Sequence, residues 1–137
     1  MIIDGKNSVL GRIATHAAKA ALEGETVDIV NANDLVIIGD KNSIVAKYRQ
    51  RREVGTTSKG PFFPRDVRGI VLRSIRGMVK RKTFHGMAAM RRIKVYENVP
   101  EDLKDKEMVE IAKFRQDRPV HKVKIEELSN ILKQRRV

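Results

Sequence analysis

Between Lys41 and Lys94 the chain sets sixteen lysines and arginines against two acids, Glu53 and Asp66, and these are the side chains whose type and spacing could do chemistry. The segment carries a net +14 and leaves −2 for the remainder of a chain whose total is +12. Charge that is dense rather than spread creates a local field able to displace counterions from a polyanion. The chemistry indicated is the gripping of phosphate. Arginine dominates the middle of the segment, and its planar fork takes phosphate oxygens in pairs and stacks on bases, which an ammonium cannot do. A solvated basic face is the plainer alternative, but solvated helices usually mix signs to form i,i+4 pairs. Near-absence of acids across the whole segment favours the phosphate surface.

Other chemistries find less support. The histidines, His16, His85 and His121, are scattered, with no HExxH pair, no serine elbow and no carboxylates clustered at ligand spacing. His16 falls on a covered helix and reads as structural, while His85, in a basic turn, is placed to donate to a phosphate. With no cysteine there are no disulfides, thiolate metal sites or cysteine nucleophiles, which fits a reducing cytoplasm. Gly5-Lys6-Asn7-Ser8-Val9-Leu10-Gly11-Arg12 resembles a phosphate-binding loop but has five residues between its glycines, followed by Arg12 and Ile13. Such a loop needs four, then Lys and Ser or Thr, so that amides wrap the phosphates and the hydroxyl holds magnesium. Gly11 reads as a close-packing position and Arg12 as an outward cation. No enzyme, cofactor, metal or small-molecule substrate is expected. The absence of Trp and the low aromatic content argue against a single-strand binder that stacks many bases.

The elements that must position the cations follow from patterning. A chain of 137 residues is one ordinary domain, able to bury roughly two-thirds of its unfolded surface. Neither an export signal nor a membrane span is expected: the start lacks a basic region before an apolar stretch, and apolar runs are only a few residues long. Met1 to Asp4 reads as a first strand, and Ser8 as the cap of a helix from Val9 to Leu22 closed by Gly24 in the left-handed position. Thr26 to Val30 and Leu35 to Ile38 read as strands, and Asn42 to Gln50 as a second helix. This rhythm is that of an α/β unit with a mainly parallel sheet.

Three stretches then carry the charge. An irregular basic loop is expected at about 51–65, ordering on a polyanion, with Phe62 and Phe63 anchoring it to the body. Asp66 caps a helix on which Val67, Ile70, Val71, Ser74 and Met78 share one arc, with Arg65, Arg68, Arg73 and Arg76 opposite. Lys80, Arg81 and Lys82 form a second basic turn, after which Thr83 caps a short helix from His85 to Arg92 leading to a strand at Ile93 to Tyr96. Gly77 and Gly86 are expected at close backbone approaches. Beyond Pro100 the charges are mixed. Met108 to Phe114 reads equally as helix or strand, and Ile125 to Lys133 as a helix docked on the sheet. The tail is expected to serve packing or protein contacts, with Gln134-Arg135-Arg136-Val137 free to fray or to touch RNA.

Val9-Leu10-Gly11-Arg12-Ile13-Ala14, Val30-Asn31-Ala32, Ile38-Gly39, Lys47-Tyr48 and Gly60-Pro61-Phe62 recur in order and spacing in one known family. So do Arg76-Gly77-Met78 with Lys82-Thr83 and Gly86, then Val95-Tyr96 and Val99-Pro100. On these residues, over nearly the whole chain, the sequence resembles ribosomal protein L13 of the large subunit in its archaeal form. It departs at Val79-Lys80-Arg81, where the family often has Leu-Pro-His, and at His85; the changes add charge overall. The resemblance implies a single three-layer α/β/α domain over 1–137 around a four-stranded, mainly parallel sheet. It also implies no catalysis, binding to large-subunit ribosomal RNA during assembly, neighbouring ribosomal proteins as further partners, and a cytoplasmic location in the large subunit. The candidate RNA-binding residues are Arg12, Lys47, Tyr48, Arg49, Arg51, Arg52, Lys59, Arg65, Arg68, Arg73, Arg76, Lys80, Arg81, Lys82, His85, Arg91 and Arg92. A free regulatory or DNA-compacting binder is the rival class.

Overall fold

The computed structural model describes residues 1–56, 58–109, 115–116 and 120–134. In chain order the elements are β1 (Ile2–Asp4), α1 (Leu10–Leu22), β2 (Val27–Val30), β3 (Val36–Ile38), α2 (Lys41–Glu53), α3 (Val67–Arg76), α4 (Phe84–Arg91), β4 (Ile93–Val95), β5 (Lys122–Lys124) and α5 (Ile125–Lys133). The fold is mixed α/β. Its main sheet has the order β1-β2-β4, all parallel, with Ile3 opposite Ile29 and Ile29 opposite Val95. Beside β1 the chain returns at Val109, which pairs parallel with Ile3 and donates its N–H to the Ile2 carbonyl at 2.7 Å. Residues 110–114, most of the stretch left open between helix and strand, lie outside the described residues.

The strand expected at Leu35 to Ile38 forms but does not join the parallel sheet. β3 pairs antiparallel with β5, through Ile37 opposite Val123. The reason is the length of the preceding connection. Parallel neighbours need a crossover of a dozen or more residues, whereas β2 and β3 are separated by a short stretch containing one 3-10 turn, Ala32–Asp34. Among the described residues the main sheet therefore has three strands, with β3 and β5 in a separate two-stranded ribbon.

The core forms where α1 meets the sheet. Ile3, Val27 and Ile29 are fully buried, as are Ile13, Ala14, Ala17 and Ala21 of α1. Small alanines let neighbours approach closely, and α3 and α4 both pack on α1. α3 contributes Ile70, Val71 and Ile75, all at zero exposure, each stabilising the fold by roughly 1.5–3 kcal/mol relative to remaining in water. The terminal helix α5 buries Ile125, Leu128 and Leu132 and packs on the Ala32–Asp34 turn, α2, α3 and the strand β5.

Two helix starts differ from expectation. Val9, not Ser8, holds the N-cap of α1 and gives no side-chain cap; Ser8 is buried, its carbonyl accepting from the Val36 N–H at 3.0 Å. Thr83 does cap α4, accepting from the Gly86 N–H at 3.1 Å, one residue earlier in register than patterning suggested. The glycines also separate. At Gly24, φ of +102 closes α1 as expected. A Cβ at Gly86 would lie 2.2 Å from the Lys80 carbonyl and 2.3 Å from that of Val79, so α4 is seated backbone-on-backbone. At Gly77 the nearest atom would be 3.8 Å away, and Gly11 faces open space, so neither is a close-packing position.

These environments give opposite expectations for one substitution. Gly86→Ala should destabilise the fold by about 2 kcal/mol or more, and Gly11→Ala should stabilise it by about 0.5 kcal/mol through helix propensity. Urea unfolding of the two variants checks both signs.

Candidate nucleic-acid interface

The arginine helix α3 is set by its first residues. Asp66 accepts from the Gly69 N–H at 3.3 Å, satisfying an otherwise orphan donor. Val67, Ile70, Val71 and Ile75 turn inward; Arg65, Arg68 and Arg73 are exposed, and Arg76 is half-buried. Met78, expected on the inward arc, is 43% exposed because the helix ends at Arg76 and the arc does not continue.

Phe63 joins α3 to the end of α2. It packs edge-on against Tyr48 with ring centroids 5.7 Å apart. The Arg51 guanidinium lies 5.4 Å from the Tyr48 centroid and 5.8 Å from that of Phe63, and Arg73 approaches Phe63 to 5.7 Å. One ring therefore steadies cations from two helices by attraction of positive charge to its face. The anchoring role expected of both phenylalanines belongs to Phe63 alone, since Phe62 is 70% exposed. The expected irregular loop also starts later than 51: Arg51, Arg52 and Glu53 complete α2, and the Gly60 N–H donates to the Thr56 carbonyl at 2.9 Å to close a local turn.

The second basic turn folds against the end of α3. Val79 is buried, Lys80 takes a left-handed φ of +50, and Thr83 returns a hydroxyl bond to the Lys80 carbonyl at 2.9 Å. Arg73, Arg76, Lys80, Arg81 and Lys82 line an open cleft of about 440 Å³. Within it the Arg76 guanidinium is held below its ordinary value, first by loss of water and then by the charges of Arg81 and Arg73. Like charges so gathered repel, and a bound anion relieves that repulsion.

The remaining candidates divide. Arg12, Lys47, Lys59, His85 and Arg91 are exposed, and Arg49 is half-buried on α2. Three also make packing contacts within the body. Tyr48 is 8% exposed and belongs to the core, where it supports Arg51. Arg52 donates to the Leu132 carbonyl near the end of α5, and Arg92 to the Ala21 carbonyl near the end of α1 at 2.9 Å. Both supply positive charge at the partly negative end of a helix, Arg92 at a carbonyl that also accepts from the Gly24 N–H at 3.1 Å. Among the described residues the tail's acids do not pair with the cleft's cations. Glu127 pairs with Lys41, and Asp34 with Lys124 at 3.6 Å; Arg51, Arg73, Arg76, Lys80, Arg81 and Lys82 have no carboxylate partner among the described residues. Sequence reasoning missed Phe84, which is 89% exposed at the head of α4. Its position beside the Lys80–Lys82 triplet was the available signal.

A family model described as Ribosomal protein L13 matches residues 1–102. A large ribosomal subunit protein uL13 of Thermoplasma volcanium is 39% identical over 131 residues, covering 96% of this chain and 96% of that protein. One from Methanosarcina barkeri is 45% identical over 112 residues, covering 81% and 80% respectively. One from Methanosphaera stadtmanae is 38% identical over 136 residues, covering 96% and 94%.

Arg92→Met should lower stability by about 1–2 kcal/mol, because the Ala21 carbonyl loses a charged donor, while Arg68→Met should leave it unchanged; chemical denaturation of both separates packing arginines from surface ones. Burial pushes the Tyr48 phenol above its ordinary value of 10.0, against a smaller opposing effect of Arg51. Folding thus favours the neutral phenol, and that contribution is complete below pH 10 and declines as pH rises beyond it. Unfolding curves at pH 8 and pH 11 should show a smaller loss in Tyr48→Phe than in the native chain.

Proposed function

The chain belongs to the ribosomal protein L13 family, in its archaeal form, and from that membership we propose that it is a structural component of the large ribosomal subunit that binds large-subunit ribosomal RNA. The observation that carries the RNA contact is the cluster of Arg73, Arg76, Lys80, Arg81 and Lys82 around one cleft, extended through Phe63 to Arg51 and lacking carboxylate partners among the described residues. Arg65 and Arg68 lie on the exposed side of the same helix region. Arg12, Lys47, Lys59, His85 and Arg91 supply outlying phosphate contacts. Rigid backing by α1 fixes the spacing of the cations. Phosphate contacts then set position, and RNA shape supplies most of the selectivity, because the deep major groove of A-form RNA is closed to side chains.

The family is one of structural ribosomal proteins, which supports a role without catalysis. Membership also supports neighbouring ribosomal proteins as partners and the cytoplasmic large subunit as the location. It further supports one domain over 1–137 with helices on both faces of a four-stranded sheet. The fourth position would lie beside β1, where Val109 pairs with Ile3.

The native chain should sediment with large subunits at physiological salt and prefer ribosomal RNA to duplex DNA of equal length. Preference for the DNA would favour a free, non-ribosomal binder. Arg76→Glu should weaken rRNA binding by roughly tenfold to a hundredfold and flatten its salt dependence by about one phosphate contact. Lys104→Glu, in the mixed-charge segment, should change neither in the same titrations, and equal losses at the two positions would remove the cleft from the interface.

A further inference from the structure

Phe84 is the most exposed large apolar side chain among the described residues, at 89%. Met87, one turn on along α4, is 46% exposed and extends the apolar ledge. An isolated apolar residue on a surface needs no explanation, but this one is held rigidly in a particular place. Thr83, its chain neighbour, lines the basic cleft. The Thr83 N–H donates to the Lys80 carbonyl at 3.0 Å, its hydroxyl donates to the same carbonyl, and that hydroxyl caps the Gly86 N–H. Gly86 presses on the Val79 and Lys80 carbonyls, and Lys80 is kept in a left-handed conformation that lysine seldom adopts. Backbone strain of this kind persists where the surroundings over-determine it, often at binding sites. The turn therefore fixes the backbone that carries an exposed aromatic ring, one residue from the rim of a cleft that gathers five cations.

We propose that Phe84 is a stacking platform for an unpaired base of the ribosomal RNA, whose phosphate lies in the cleft of Arg73, Arg76, Lys80, Arg81 and Lys82. This rests on the RNA-binding reading above and adds a base contact to it. A nucleotide presents an anion and a flat π-face together, and so matches both halves of the site. A protein partner would have to bring separate acidic and apolar groups. Low aromatic content excludes a row of such platforms but not a single one, and single-stranded loops and bulges are where RNA offers bases to aromatic side chains.

Affinity for protein-free large-subunit rRNA, measured across a salt series, tests the assignment, with Arg76→Glu as the electrostatic control. Phe84→Ala should weaken binding from about fivefold to somewhat over a hundredfold. Its log–log salt slope should match that of the native chain, because stacking releases no counterions, whereas Arg76→Glu should flatten the slope. Phe84→Trp should retain affinity and Phe84→Leu should not, with the melting temperature of all three unchanged because the side chain is exposed. Native-like binding by Phe84→Ala, or full affinity in Phe84→Leu, overturns the platform while leaving phosphate binding intact. Unchanged rRNA affinity with reduced retention of Phe84→Ala in assembled subunits also overturns it and assigns the ring to a protein neighbour. Failure of the native chain to bind the rRNA overturns both readings together.

Discussion

Repulsion among Arg73, Arg76, Lys80, Arg81 and Lys82, which line one cleft without a carboxylate partner among the described residues, is the constraint on which the basic face depends. Arg76 is held below its ordinary value first by loss of water and then by the charges of Arg81 and Arg73. Carboxylates could offset that repulsion, but they would also occupy the donors. The fold relies on apolar burial on the other side of the same helix: Ile70, Val71 and Ile75 are sealed against α1 and its neighbours. Burial is not screened by salt and leaves the cations available, so it can hold a charged face together without neutralising it.

The few polar groups that enter the basic segment act on backbone or on rings. Asp66 is bound to the Gly69 N–H as a helix cap, and Thr83 plays the same part for α4. Phe63 steadies Arg51 and Arg73 through its ring face. A ring attracts a guanidinium without competing for its in-plane N–H groups, so the fork remains free for a bidentate acceptor. This accounts for an aromatic residue, rather than an acid, at the junction between α2 and α3.

Much of this was legible in the sequence because it is local. Caps lie three residues from the amides they serve, and a helical face repeats within one element, so Asp66, Thr83 and the inward arc of α3 could be read directly. The partners of Arg52 and Arg92 are 80 and 71 residues away in the chain. Nothing near either arginine distinguishes a helix-capping guanidinium from a phosphate-binding one, and the same holds for Tyr48, whose burial depends on Phe63. Strand existence was similarly readable from β-branched runs, whereas the pairing of β3 with β5 depends on chain ends meeting across the fold. Its one local clue was the brevity of the connection from β2.

Arginine thus occupies two opposed roles in one basic segment, and helix polarity explains how. A helix C-terminus presents unpaired carbonyls and partial negative charge, which is chemically a weaker version of a phosphate. Arg52 and Arg92 meet that partial negative charge inside the molecule, near the ends of α5 and α1. Arg73, Arg76 and Arg81 line an open cleft and have no carboxylate partner among the described residues. The same fork therefore ties helices into the body at one set of positions and, at the other, remains available for an anion. A charge count over the segment does not separate the arginines that hold a helix end from those whose partners lie outside the described fold.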